Sequence, residues 1–292
     1  MSVAYAHGLY DPLPENLFSV KWDWDPTLLF FLAMTYFYLR GLKHLKKRNV
    51  IKPWQVGLYF TGLAVLSLAL LPPIDPLSDR LFFFHMIQHL MITSLGVPLI
   101  MFGVPFFVII RGAPLWFRQR VYFPLLRNRV VQFFFWLFSQ PLPALILFQT
   151  TYWVWHIPFM YNLALFNDVF HLIEHASFAL AAMFLWRNIS APAPMKSKLP
   201  YPARLLFLAI IMASNIALAA LLTFSKTVWY GYEGIPQPKW WTWGYLQDQQ
   251  LGGLIMWVPG GIINFIAMTI CFFAWVRFEQ KKDELRQQQA EV

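Results

Sequence analysis

Seven long apolar runs, at 27–42, 54–72, 81–109, 131–156, 169–187, 203–224 and 251–276, leave this chain few ways to fold. Each suits a tilted or kinked helix crossing a bilayer of ~30 Å hydrocarbon thickness. A backbone in hydrocarbon must satisfy its own N–H and C=O groups, so spans of this length are helices. A soluble fold with an apolar core is a poor alternative, because 58% of the residues are hydrophobic and only 13% are charged. The expectation is an all-α polytopic membrane protein with seven transmembrane helices in a single membrane domain, 1–292. That domain divides into an outer N-terminal tail (1–26), a seven-helix bundle (27–276) and a cytoplasmic tail (277–292).

The gaps between the runs set the orientation. Arg40, the loops 43–53, 110–130 and 187–204, and the tail after 276 hold 19 of the 23 Lys and Arg residues. The opposite side has only Lys21, Arg80, Lys226 and Lys239. Because basic residues stay cytoplasmic, the N-terminus is expected outside and the C-terminus inside. The acids agree: ten of the fourteen fall on the outer side, which gives about −6 outside and +15 inside. The net charge of +9 therefore reflects topology and contact with anionic lipid, not nucleic acid. Residues 1–26 lack a basic start followed by a short apolar core, so no signal peptide is read there.

Prolines mark where the runs bend. Pro98 and Pro105 should break the inner half of the third, and Pro259-Gly260-Gly261 should kink the seventh. Trp229 to Tyr245 is dense in Trp and Tyr and reads as an outer loop anchored among headgroups. The polar stretch from Glu279 onward is expected to fray. The single cysteine, Cys271, excludes an internal disulfide and a cysteine-based metal site.

Two pentapeptides carry the chemistry. His85-Met86-Ile87-Gln88-His89 opens the third run and His171-Leu172-Ile173-Glu174-His175 the fifth. Residues four apart lie about 40° apart on a helix, so each pentapeptide offers two imidazoles on one stripe. With the orientation above, both stripes sit in the outer leaflet, level with His156 and with the Asp248-Gln249-Gln250 turn before the seventh run. Ionisable groups at such depth are costly and tend to be functional. His156 alone reads as an interfacial, hydrogen-bonded residue.

Three functions fit these residues. One is a copper-handling site with His85, His89, His171 and His175 as ligands and the Met86 thioether as a soft neighbour. A second is haem b held between two helices by paired histidines, for electron transfer. A third is a zinc hydrolase using His171-x-x-Glu174-His175, the inverted zincin pattern, with Glu174 as base. Imidazole suits several metals, so the ligands alone do not select one.

The blocks His85-Met86-Ile87-Gln88-His89-Leu90, His171-x-x-Glu174-His175 and Asp248-Gln249-Gln250-Leu251-Gly252-Gly253 through Pro259-Gly260 resemble the hallmark blocks of the CtaG family. These are multi-span bacterial membrane proteins linked to assembly of caa-type cytochrome c oxidase. The resemblance covers nearly the whole chain, with the blocks in order. It implies a non-enzymatic assembly factor of the bacterial plasma (inner) membrane, concerned with copper delivery. Its partners would be cytochrome c oxidase subunits and a periplasmic or extracellular copper chaperone. The matched positions are His85, His89, His171, Glu174, His175, Asp248 and Gln249. Glu174 would be a ligand or would fix an imidazole tautomer, and Asp248 and Gln249 would close the site.

Overall fold

The computed structural model describes residues 26–45, 51–190, 197 and 199–290. Residues 1–25 of the expected tail 1–26, with His7 and Lys21, lie outside them, as do Lys46, Lys47, Arg48, Lys196 and Lys198. Among the described residues every regular element is helical. The order is α1 (Pro26–Leu45), α2 (Pro53–Leu70), α3 (Ile74–Ser78), α4 (Phe82–Leu90), a π-helical stretch Met91–Gly96, α5 (Val97–Phe102) and α6 (Pro105–Gly112). Then come α7 (Leu115–Phe117), a second π-helical stretch Arg118–Tyr122, α8 (Phe123–Arg127), α9 (Arg129–Phe138) and α10 (Pro141–Trp155). The last four are α11 (Pro158–Leu165), α12 (Asp168–Ile189), α13 (Tyr201–Thr223) and α14 (Tyr245–Ala290). Prolines in the first turn open α2, α6, α10, α11 and α13, where the missing N–H has no helical partner to lose. Asn167 caps α12 by accepting from Val169 N and Phe170 N.

Among the described residues five helices are long and apolar enough to cross a membrane: Pro53–Leu70, Phe82–Phe102, Asp168–Ile189, Tyr201–Thr223 and Tyr245–Ala290. The fourth run differs from the single span expected of it. It breaks after Phe138 into α9 and α10, which meet at 87° and make a sixth crossing if counted together. Gln140, with its extended backbone before Pro141, marks the corner. The first run is the 20-residue α1, which is less apolar than these five.

The third run breaks at Gly103–Val104, directly before Pro105 as expected, whereas Pro98 sits in the first turn of α5 without breaking the span. Val104 adopts a left-handed conformation (φ 52°), uncommon for a β-branched residue, and Pro105 starts α6. Carbonyls exposed by the break find donors: Tyr38 Oη donates to Gly103 O at 3.0 Å and Gln55 Nε2 to Phe102 O at 3.4 Å. The chain then turns back so that α6 packs on α1. There Gly41 faces the Val108 carbonyl and Gly112 faces that of Phe37, too close to admit a Cβ at either position.

In contrast, α14 runs unbroken through Pro259 and on to Ala290, so the polar end expected to fray is helical. The pairs Lys282–Glu279 and Arg286–Asp283, each three residues apart, lie on this exposed last stretch. One apolar core joins α12 to α5, α10, α13 and α14; it includes Ala181, Leu185, Phe148, Leu208 and Cys271. A second core, toward the start of α4, includes Phe82, Met86, Tyr161, Leu218, Tyr230 and Tyr232. The candidate site lies at that end of the bundle.

Candidate metal centre

The helix carrying His85 and His89 is held by its first turn. Asp248, fully buried at the start of α14, accepts from Phe82 N at 2.7 Å and Phe83 N at 3.3 Å. A carboxylate on the unpaired amides of a helix start satisfies them and opposes the positive end of the helix dipole. Gln88, between the two histidines, donates to Ala69 O at 2.9 Å and Asp75 Oδ1 at 2.7 Å, tying α4 to α2 and α3. Gly252 lets α14 approach α4 so closely that a Cβ there would strike the Phe82 ring.

The two histidine stripes face each other. His85 and His171 rings lie 5.3 Å apart and near parallel, His85 and His175 6.0 Å apart, and His171 and His175 4.3 Å apart. Glu174 enters between them, with Oε2 3.5 Å from His85 Nε2 and Oε1 3.5 Å from His89 Nε2. His85, His171, Glu174 and His175 each offer a ligand atom, all within 4.8 Å of one another. Bonds of about 2 Å to a tetrahedral ion would set neighbouring donors roughly 3.3 Å apart, a closure that small side-chain rotations supply. His89 stands outside this group: its ring sits 4.4 Å from that of His85 and turns toward Phe178 (4.6 Å) and His156 (6.1 Å).

The polar atoms of this cluster lack partners of their own. Nε2 of His85, His89, His156, His171 and His175 and both Glu174 oxygens are buried without a hydrogen bond among the described residues. At roughly 1–3 kcal/mol for each orphaned buried group, seven such atoms cost on the order of the stability of a whole domain. A cation bound by imidazole lone pairs and a carboxylate offsets that cost, so the donor set fits a metal. It fits haem poorly. Four imidazole rings at 4.3–6.0 Å centroid separations leave no slot between the helices for a porphyrin plate.

His171 is the partly exposed member, and its Nδ1 lies 3.8 Å from Asp79 Oδ1. Burial, with repulsion from Asp75 and Asp168, pushes the Asp79 carboxyl well above the usual aspartate range, and Arg80 offsets only part of this. The loop 224–244 closes this end. Tyr232 Oη donates to Ser78 O at 2.9 Å and pairs with Tyr161 Oη at 2.8 Å, while Tyr230 Oη donates to His156 O at 3.0 Å. Gln249 accepts from Trp229 N at 2.7 Å and donates to Thr227 O at 3.2 Å, so it fastens the loop.

Asp248 and Gln249 thus hold the helix and the loop that enclose the cluster, and neither points a free atom at it. Met86 faces α14 against Gly252, away from the four-donor group. In the loop expected to be a headgroup anchor Trp243 is exposed, whereas Tyr230 and Tyr232 are buried over the site. Asp79 escaped notice in the sequence, and His156, placed at the right level, was read there only as an interfacial hydrogen-bonded residue. Each is a lone polar residue outside the two pentapeptides, and only lateral packing brings it in. The π-helical stretch directly after His89 also left no signature. It shows as a Thr93 carbonyl taken by Trp186 Nε1 of α12 at 3.0 Å, and as Thr93 Oγ1 donating to His89 O at 2.8 Å.

Residues 36–278 match the family described as cytochrome c oxidase caa3 assembly factor (Caa3_CtaG). An uncharacterized protein of Mycobacterium bovis and one of Mycobacterium tuberculosis are each 25% identical over 257 residues. The alignment covers 84% of this chain but 37% of either relative, so the chain spans little more than a third of their length. No solved structure matches the chain.

Proposed function

The chain belongs to the family of cytochrome c oxidase caa3 assembly factors, and we propose that within oxidase assembly it handles copper at the group His85, His171, Glu174 and His175. One observation carries this reading: four potential ligand atoms within 4.8 Å, on two helices, among buried polar atoms that have no other partner. The family supplies the context, since an oxidase under assembly must receive its metal. The chemistry is compatible: neutral imidazoles with one carboxylate bind copper without a cysteine. In this reading the protein lies in the bacterial plasma membrane with the cluster toward the outer face. It takes copper from a periplasmic or extracellular chaperone and passes it to oxidase subunits.

His171 and Asp79 are the entry, because they are the cluster's approach to the aqueous side. Glu174 then balances the charge of the ion. Asp248 and Gln249 act as positioning residues through α4 and the loop. A carrier of this kind needs no catalytic residue, and the zinc-hydrolase alternative has less support. Its base, Glu174, would have to face a water and a substrate cleft, whereas both its oxygens lie among imidazoles.

The test is made in cells lacking the native protein. Complementation with the native chain should restore copper in the purified oxidase, and a stably produced His171→Ala/His175→Ala variant should leave the oxidase copper-poor. Full copper content with that variant would refute the proposal.

A further inference from the structure

Beyond the four-donor group a second set of donors surrounds a cavity of about 40 Å³ between α4, α10, α13 and α14. Its wall carries His89, His156, Met86 and Met256. All four are buried. His156 Nδ1 lies 2.7 Å from Tyr152 O. A carbonyl only accepts, so Nδ1 holds the ring proton and leaves a lone pair on Nε2, the arrangement that orients metal-binding imidazoles. Among the described residues that Nε2 has no hydrogen-bond partner, nor has either ring nitrogen of His89.

Helix geometry explains why these four meet. Met86 follows His85 by one residue, which turns it about 100° from the histidine stripe toward α14. Gly252 makes room for it: a Cβ there would lie 3.2 Å from Met86 Cγ. Met256 lies one turn further along the same face of α14 as Gly252. Asn215 fixes this part of α14 by donating to Met256 O at 2.6 Å, and it accepts from Tyr152 Oη at 2.6 Å.

We propose that His89, His156, Met86 and Met256 form a second metal site, selective for monovalent copper, one step deeper than the four-donor group. The set is neutral and half sulfur. No carboxylate lines the cavity. Thioether and imidazole donors suit Cu(I) over harder divalent ions, and in a low-dielectric interior a neutral set tolerates one positive charge better than two. The volume admits an ion or a few waters and nothing larger. His89 links the two sites, since its ring touches that of His85 and its Nε2 lies 3.5 Å from Glu174 Oε1. Cu(I) entering at His171 would therefore pass from a site with a carboxylate to a site with thioethers, with no change in its oxidation state.

This inference rests on the copper reading above, and the experiment separates the two. Purified full-length protein in lipid nanodiscs is loaded anaerobically with Cu(I), and bound copper and its X-ray absorption are measured. The native chain should bind two ions, with sulfur among the neighbours. His156→Ala/Met256→Leu should bind one ion and lose the sulfur signal, whereas His171→Ala/His175→Ala should bind one and keep it. Met86→Leu/Met256→Leu, which conserves volume, should also lose the sulfur signal. One ion in the native chain, without sulfur and unchanged by the methionine variants, would overturn the second site and leave the first standing. No copper in any form would overturn both.

Discussion

Asp248→Ala distinguishes a residue that builds the site from one that belongs to it. The carboxylate accepts from the amides of Phe82 and Phe83 at 2.7 and 3.3 Å, and it is fully buried. Removing it leaves two buried N–H groups without partners, at roughly 1–3 kcal/mol each, and cancels a favourable charge at the helix start. The weaker geometry of the second bond puts the expected loss at about 2–4 kcal/mol. Asp248→Asn keeps an acceptor and should lose about 1 kcal/mol. Thermal unfolding in detergent micelles, read by intrinsic tryptophan fluorescence, should rank native above Asn above Ala. Copper bound below the transition should stay close to native, because the cluster's own donors remain. Undiminished stability of Asp248→Ala combined with loss of copper would refute the assignment and make Asp248 a ligand.

Other consequences are open to measurement. Glu174→Gln removes the charge that sits between His85 and His89, so copper affinity should fall by at least tenfold in a competition with a chromophoric chelator; an unchanged affinity would exclude Glu174 from the site. Tyr232→Phe deletes the bonds to Ser78 O and Tyr161 Oη and should destabilise the loop by about 1–3 kcal/mol, seen as faster amide exchange at 224–244 with little change in the α12 core. Gly253→Ala places a methyl group 2.8 Å from Thr223 N and 3.0 Å from Ala219 O, backbone atoms that cannot rotate away, so a loss of about 1–3 kcal/mol is expected in the same unfolding assay.

The sequence conveyed the helices and the two stripes because both are local. Apolar run length marks a span, and a spacing of four places two histidines on one face whatever surrounds them. The meeting of His85 with His171 was foreshadowed only in depth, since nothing in a single sequence sets which helices are neighbours. The same limit hid Asp79 and the buried Tyr230 and Tyr232 and left His156 known only by its depth, since their importance comes from packing between α10, α11 and the loop. The 87° corner near Gln140 was obscured for another reason, and the turn at Val104 was marked only by Pro105. Both runs stay apolar through the break, so hydropathy carries on where the backbone does not. Pro105 and Pro141 sit at the new helix starts, where proline is at ease, but Pro259 lies inside an unbroken helix, so proline alone does not tell a break from a continuation.

The central claim is that two facing helices hold copper through His85 and His171 with their neighbours. Metal analysis of purified protein, native against His85→Ala/His171→Ala, tests it most directly. The native chain should retain copper after exhaustive desalting, and the double variant, folded by its unfolding transition, should lose the ion of the four-donor group. Copper retained by the double variant at native stoichiometry would contradict the account.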